Sequence, residues 1–160
     1  MGLLIAMALV LPGMAQAVAA ESSPAGNSVI LTPEEQALWQ ALTTARTASG
    51  LPPLTLDANI TALTRDRSAD MAARSYFGHT NPDGKSMVDL LPAYGLTYHA
   101  AGETIEFNLG IPDCGAEAAR GFIASPPHHL ILFDPRFTTA GVGHAVDANG
   151  KHYFTIIVLA

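Results

Sequence analysis

The chain has 160 residues, of which 49% are hydrophobic and 14% charged, and its 14 acidic and 8 basic residues give a formal net charge of -6. A chain of this length fits one domain with a buried core. The acidic balance, without any cluster of lysine and arginine, excludes a nucleic-acid backbone as the partner. Cys114 is the only cysteine, which excludes an intrachain disulfide.

The first segment, residues 1–20, is predicted to be a secretory signal peptide. Its apolar run over residues 3–11 is too short to span a bilayer. The small residues nearby favour cleavage after Ala17 or after Ala20. Since no lysine or arginine precedes the apolar run, an uncleaved anchor and a misplaced start codon are the alternatives. After signal removal no stable transmembrane span is expected.

The remaining chain divides into a short lead-in and one domain. Residues 21–31 are rich in Ser, Pro, Gly and Asn and are predicted to be flexible. The domain is predicted to cover residues 32–160, without internal repeats.

Two helices are predicted at the start of this domain. The segment Thr32-Pro-Glu-Glu35 has the capping-box pattern of a helix N-terminus, and Gly50 ends that helix. Asp57 is typical of the N-cap of a second helix, which extends to about Tyr76.

The second helix carries Arg67 and Arg74 near its apolar face. Either these arginines extend their guanidinium groups to the edge of that face, or the face borders a polar cavity. The sequence leaves both interpretations open.

A turn follows the second helix and fixes the backbone beside His79. The segment Asn81-Pro-Asp-Gly84 has strong turn chemistry, because proline presets φ and Asp-Gly tolerates the left-handed region. Ser86 is then predicted to cap a short helix that ends near Pro92.

A strand is predicted over residues 102–107, and the alternation of its side chains between two faces identifies a candidate functional residue. Glu103, Ile105 and Phe107 share one face of this strand, whereas Glu106 lies on the other. If Ile105 and Phe107 face the core, Glu103 does too. A buried carboxylate must find a partner or take up a proton, so Glu103 is the better functional candidate of the two glutamates.

The last third of the domain is predicted to hold helices and a β-hairpin. Asp113 can cap a helix that runs to Ala124, and Ser125-Pro126 starts a short helical turn that carries His128 and His129. Strands at about 138–146 and 152–159 are joined by Asn149-Gly150, a strong hairpin signal. This order of elements predicts an α+β fold, with a small, mainly antiparallel sheet packed against helices.

The candidate chemical site consists of His79, Glu103 and His128. Two imidazoles and a carboxylate can bind a divalent metal such as zinc, although six histidines make the spacing alone a weak signal. The sequence contains no His-Glu-x-x-His, no Gly-x-Ser-x-Gly and no phosphate-binding glycine loop.

The other histidines and the cysteine are expected to be structural. His144 shares strand parity with inward valines, whereas His99 and His152 flank turns and are expected to be solvated. No histidine or lysine adjoins Cys114 in the sequence, which favours a structural role for its thiol.

The ordered series of motifs resembles the CAP superfamily, also called SCP domains, which comprises cysteine-rich secretory proteins, antigen 5 and pathogenesis-related 1. The match is to its bacterial, cysteine-poor branch and covers the chain from about Glu34 to the end. The motifs that carry the resemblance are Arg46 with Gly50-Leu51 and Pro53-Leu54, Asp70-Met71-Ala72, Tyr76-Phe77-Gly78-His79, Pro82-Asp83-Gly84, Gly102-Glu103, Ser125-Pro126-Pro127-His128, Asp134-Pro135-Arg136-Phe137 and Gly141-Val142-Gly143.

The resemblance implies an α-β-α sandwich with a central antiparallel sheet between helical layers. It also implies a cavity lined by His79, Glu103 and His128 that binds a divalent metal, often zinc, in several members. Three residues depart from the family pattern, because Thr104 and Ile131 replace asparagines and Phe122 replaces a tryptophan. The family's second cavity acid has no clear counterpart.

Two functions and one structural alternative are compatible with this cavity. The first function is a secreted or periplasmic, non-catalytic module that binds a lipid or sterol-like ligand, a cell-envelope component or a protein. The second is a metal-dependent hydrolase in which His79 and His128 hold the metal and Glu103 is a third ligand or the base. One carboxylate cannot readily do both, which ranks the hydrolase second and leaves no residue assigned as catalytic. The structural alternative is a polar packing cluster in which Glu103 is hydrogen-bonded to histidine.

Overall fold

A computed structural model describes residues 29–160, which form five α-helices, one 3₁₀ helix and four strands. The predicted signal peptide and lead-in residues 21–28 lie outside the described residues. In chain order the elements are α1 (Pro33–Ala48), β1 (Thr55–Leu56), α2 (Ala58–Arg74), α3 (Met87–Leu90), the 3₁₀ helix (Leu91–Tyr94), β2 (Ala101–Leu109), α4 (Cys114–Ala124), α5 (Pro126–Leu132), β3 (Thr139–Val146) and β4 (Lys151–Leu159).

The helix termini follow local sequence chemistry. Thr32 and Glu35 form the capping box at the start of α1, as predicted. The Asp57 side chain accepts hydrogen bonds from the backbone N–H groups of Asn59 and Ile60 at the start of α2. Each of these contacts pairs backbone donors that a helix N-terminus otherwise leaves free.

The four strands form one sheet in the order β1-β3-β4-β2. The long strands β2, β4 and β3 are antiparallel, whereas the two-residue β1 pairs with β3 in parallel, so the sheet is mixed. β2 is an edge strand, and this position places its side chains beside the loops and helices that close the sheet at that edge.

One face of the sheet packs against α2, α3 and the 3₁₀ helix. Ile60 and Leu63 of α2 pack against Ile157 and Leu159 of β4. Close approach of α2 to β3 depends on Gly141 and Gly143, because a Cβ at either position would overlap the α2 backbone. α2 therefore lies directly over the sheet, which brings its buried polar residues next to β2 and β4.

The opposite face packs against α1, α4 and α5. The buried side chains shared between these helices and the sheet are Leu38, Leu42, Leu54, Cys114, Ala118, Ala119, Phe122, Leu132, Phe137, Ala140, Val142, Phe154, Ile156 and Val158. The sheet thus lies between two helical layers, and the predicted α-β-α sandwich is confirmed.

The described residues contain no helix that is both long and apolar enough to cross a bilayer.

Candidate functional site

The Glu103 carboxylate is buried and binds two partners from different elements. Arg67 Nε donates to Glu103 Oε1 at 2.8 Å, and Arg67 Nη2 donates to Oε2 at 3.3 Å. Both side chains are almost fully buried, at 2% and 4% exposure. Oε2 also lies 2.8 Å from His79 Nδ1. Arg67 is therefore buried in an ion pair and does not extend to the edge of the apolar face, whereas Arg74 does, since it pairs with the exposed Asp83.

Arg67 also holds the backbone of the loop that carries His79. Its Nη2 donates to the carbonyl oxygens of Gly78 at 3.2 Å and His79 at 3.0 Å, while Nη1 contacts the Tyr76 hydroxyl at 3.3 Å. One guanidinium group therefore joins α2, the loop and β2. It fixes where the His79 ring meets the carboxylate.

The contact with Glu103 determines which nitrogen of His79 can bind something else. An ionised carboxylate only accepts hydrogen bonds, so Nδ1 carries the proton and Nε2 keeps its lone pair in the neutral ring. The His79 side chain is 58% exposed. His79 is thus an oriented imidazole whose Nε2 remains available at the surface.

His128 lies on α5 and is half-buried, with its ring 5.3 Å from the Phe122 ring in an edge contact. Its Nδ1 is buried and has no hydrogen-bond partner among residues 29–160. Burial lowers the pKa of His128, the Glu106 carboxylate raises it, and His79 lowers it. His128 makes no direct hydrogen bond to His79 or Glu103 in this part of the chain, but it lies close enough for a protonated His79 ring to lower its pKa.

Glu106 contributes to this region although its strand parity points away from Glu103. It lies on the opposite face of β2, where its carboxylate approaches Gly121 of α4, and its charge acts on His128. Both faces of an edge strand can border one site at that edge, which the parity argument did not take into account.

We expect two substitutions to move the pKa of His128 in opposite directions. Glu106→Gln should lower it further, since a carboxylate that favours the imidazolium is removed. His79→Asn should raise it, since the protonated form of His79, which opposes a second positive charge nearby, is removed. NMR titration of the histidine ring signals measures both shifts, with exposed His99 as an internal reference. Unchanged values in both variants would contradict the proximity of these groups.

A cleft of about 350 Å³ opens beside His79 and Glu103. Its remaining walls are mostly apolar and come from Met87, Val88 and Ile131. Ile131 also packs closely against Gly102, since a Cβ built on Gly102 would lie 2.6 Å from the Cγ2 atom of Ile131. The cleft thus combines a polar end with an apolar wall.

The imidazoles of His79 and His128 could hold a divalent metal near this edge of the sheet, but only His79 lines the cleft. His79 Nε2 is oriented by a carboxylate on the other ring nitrogen, an arrangement common for metal-binding histidines. His128 offers an unpartnered buried nitrogen and a lowered pKa, which favours the neutral ring that metals require. Glu103 already binds a cation, Arg67, so it suits an orienting role better than a ligand role.

A second cluster lies elsewhere in the fold and was missed by the sequence analysis. Cys114 Sγ lies 3.4 Å from His152 Nδ1, and this nitrogen lies 2.8 Å from His144 Nε2. The prediction that His152 is solvated is wrong, because its half-buried ring contacts both residues. His144 and His152 are 8 residues apart on one hairpin, whereas Cys114 is 38 residues from His152, so only the docking of α4 reveals the whole cluster.

Residues 39–159 match the family model described as CAP, cysteine-rich secretory protein family. The match covers most of the chain, and the fold agrees with it. This protein therefore belongs to the CAP family.

Named relatives agree with this assignment. The uncharacterized Bacillus subtilis protein YkwD is 32% identical over 99 residues, which cover 62% of this chain and 37% of YkwD. An extracellular SCP-domain protein from Bacillus anthracis is 25% identical with a TM-score of 0.69, over 82% of this chain and 45% of that one. This chain thus spans less than half the length of both proteins.

More distant structures share the fold alone. An outer surface protein of Borrelia burgdorferi has a TM-score of 0.71 at 14% identity, over 84% of this chain and 97% of that one. NaASP2, solved with Zn²⁺, has a TM-score of 0.57 at 10% identity, over 80% of each chain. Ac-ASP-7, described as manganese-bound, has a TM-score of 0.54 at 14% identity, over 81% of this chain and 70% of that one.

Proposed function

We propose that this protein is a secreted or envelope-located binding module without catalytic activity, whose cleft beside His79 binds a ligand and can hold a divalent metal. The observation that carries this proposal is the buried Arg67–Glu103 ion pair with the exposed His79 ring held on Glu103 Oε2. It supports a pre-formed binding surface because the orientation of His79 is fixed while its Nε2 remains available.

The state of Glu103 is the main argument against catalysis at this point. A general base needs a lone pair that can take a proton from substrate or water. The Glu103 oxygens are engaged by Arg67 and by His79, and protonation would weaken a buried ion pair. Glu103 is therefore better suited to hold His79 in place than to move protons.

The cleft supports a ligand with an apolar body and a polar end. Met87, Val88 and Ile131 offer apolar contacts, while His79 and Glu103 lie at the polar end. A lipid or sterol-like molecule, a cell-envelope component and an apolar segment of a protein partner all fit that description. The extracellular relative from Bacillus anthracis supports an extracytoplasmic setting.

A bound metal would be held by His79 and His128, with Glu103 as the group that orients His79. When present, the ion would supply a positive charge that attracts the polar end of the ligand. The chain itself provides the orientation of His79, through Glu103, and the burial of His128 Nδ1.

Zinc titration of the purified protein by calorimetry tests the metal part of this proposal. His79→Ala is expected to weaken zinc binding at the cleft by at least about 10-fold, since loss of even a group that only supports a metal ligand typically costs about 10- to 100-fold in affinity. His99→Ala, which removes an exposed histidine outside the cleft, is the matched control and should leave affinity unchanged. Equal affinity of the His79→Ala variant and the control would contradict a metal at this cleft.

Binding of a fluorescent sterol analogue tests the ligand part separately. Ile131→Asp, which places a charge on the apolar wall, should abolish binding, whereas Leu130→Asp on the exposed side of α5 should not. Equal binding by both variants would contradict the cleft as the site.

The hydrolase remains the second candidate, and one observation favours it. Glu106, whose charge acts on His128, is the additional acid that the strand-parity argument had excluded from this region. Hydrolysis of an envelope substrate that is lost in Glu106→Gln with zinc binding retained would replace the binding module with the hydrolase.

A further inference from the structure

The Cys114 cluster brings together one sulfur and two nitrogen atoms from three separate elements. Cys114 is the first residue of α4, His144 lies on β3 and His152 lies on β4. One potential ligand atom from each residue lies within 4.8 Å of the others, and no other group of three such ligands occurs among residues 29–160. We infer that these three residues form a second divalent-metal site, of the zinc class, that is distinct from the His79 cleft.

Two of the three ligand separations can be compared with those of tetrahedral coordination. Zinc–sulfur bonds of about 2.3 Å and zinc–nitrogen bonds of about 2.0–2.1 Å place ligand atoms roughly 3.3–3.6 Å apart. The sulfur-to-His152 distance of 3.4 Å already matches. The two imidazole nitrogens, 2.8 Å apart, would need to separate by about half an ångström to admit the ion between them.

Neighbouring groups hold two of the three ligands in position. Asn108 Nδ2 donates to the Cys114 carbonyl at 2.8 Å, which anchors the first turn of α4. The His144 ring stacks on Phe154 with centroids 4.7 Å apart and on His152 at 5.1 Å. Such support around the ligands reduces the ordering that metal binding would otherwise require.

The Cys114 cluster also lies beside a solvent-filled cleft and a negatively charged side chain. A cleft of about 180 Å³ is bounded by Glu34, Asp113 and Cys114, which brings solvent next to the buried thiol. The charge of Glu34 acts on the thiol and on both imidazoles. The Glu34 carboxylate does not belong to the group of mutually close ligand atoms, so a water molecule suits the fourth position of the ion.

The donor set favours zinc over calcium or magnesium. Thiolate and imidazole are ligands for zinc and related transition metals, whereas the hard alkaline-earth ions require oxygen. When the ion binds, the thiol proton passes to solvent and the sulfur lone pair coordinates the metal. The proton between His144 Nε2 and His152 Nδ1 moves to the other nitrogen of its ring, so that both of these nitrogens offer a lone pair. Without metal, the same residues form a hydrogen-bonded thiol–imidazole cluster, which is the outcome the experiment must distinguish.

Cobalt(II) titration of the purified full chain tests this site, because thiolate coordination produces a sulfur-to-cobalt charge-transfer band in the near ultraviolet. The wild-type protein should show the band, and added zinc should bleach it. Cys114→Ser should lose the band, and His144→Gln should bind cobalt at least about 10-fold more weakly. His99→Ala is the matched control and should behave as wild type.

The result that overturns the site is the absence of the band in the wild-type protein, or its persistence in a folded Cys114→Ser variant. If that variant fails to fold, the wild-type band and the His144→Gln titration decide the question. The His79→Ala/His128→Ala double variant separates the two metal proposals, because it should keep the charge-transfer band while losing zinc from the cleft.

Discussion

Arg67→Ala is expected to lower the free energy of unfolding by about 3–5 kcal/mol, because it leaves the Glu103 carboxylate buried without its cation. The two side chains are 2% and 4% exposed, so water cannot replace the lost partner. The substitution also removes the donors that hold the carbonyls of Gly78 and His79. Urea unfolding measures the loss.

Two comparisons make this result specific to the buried pair. Arg136→Ala breaks a surface pair with Asp134, where Arg136 is 70% exposed, and should cost no more than about 1 kcal/mol. The double variant Arg67→Met/Glu103→Leu removes both charges and should recover most of the stability. A loss for Arg67→Ala as small as that for Arg136→Ala would contradict a buried ion pair.

Gly143→Ala is expected to destabilise the fold by about 3 kcal/mol, at the upper end of the range for overpacked cores. A Cβ at this position would overlap the backbone of Thr64 and Arg65, and a helix backbone cannot move aside as a flexible side chain can. α2 would have to shift away from β3, which would also displace Arg67 from Glu103. Thermal and urea unfolding both measure the effect.

Gly78→Ala is the matched control for this substitution. Its Cβ would meet its nearest neighbour, the Thr80 carbonyl oxygen, at 3.7 Å, an ordinary contact, so the change should stay within about 0.5 kcal/mol. Equal stability of the Gly143→Ala and Gly78→Ala variants would mean that α2 does not lie as close to the sheet as described.

The fold was largely predictable because strong local signals specify its elements. The capping box at Thr32, the N-cap at Asp57 and the Asn149-Gly150 hairpin each determine their own element, and the observed boundaries follow them closely. The two-residue β1 was not predicted, since so short a strand has no periodicity and exists only through its pairing with β3.

Of the candidate site, only the inward position of Glu103 could be predicted from the sequence, because the alternation of side chains along β2 determines it. The parity of β2 correctly gave an inward Glu103, but Phe107 on the same face is 42% exposed because it lies near the end of the edge strand. The partner Arg67 is 36 residues away in sequence, and its spacing alone left two interpretations open. The assignment of His79, Glu103 and His128 as one functional site remains a prediction.

The residues near Cys114 show why long-range clusters escape sequence analysis. His144 and His152 approach each other through the β3–β4 hairpin, and their register could be inferred from the turn. The contact with Cys114 depends on how α4 docks against the sheet, which no local pattern specifies. The sequence therefore favoured a purely structural thiol at a position that the fold surrounds with imidazoles.

A crystal structure of the zinc-soaked protein, with anomalous scattering recorded at the zinc edge, tests the central claim most directly. The account predicts a peak bound by the His79 and His128 imidazoles in the cleft, with the Arg67–Glu103 pair unbroken. A zinc ion coordinated by Glu103 after Arg67 has moved away would contradict it, and so would a cleft without zinc in which the two imidazoles face different surroundings.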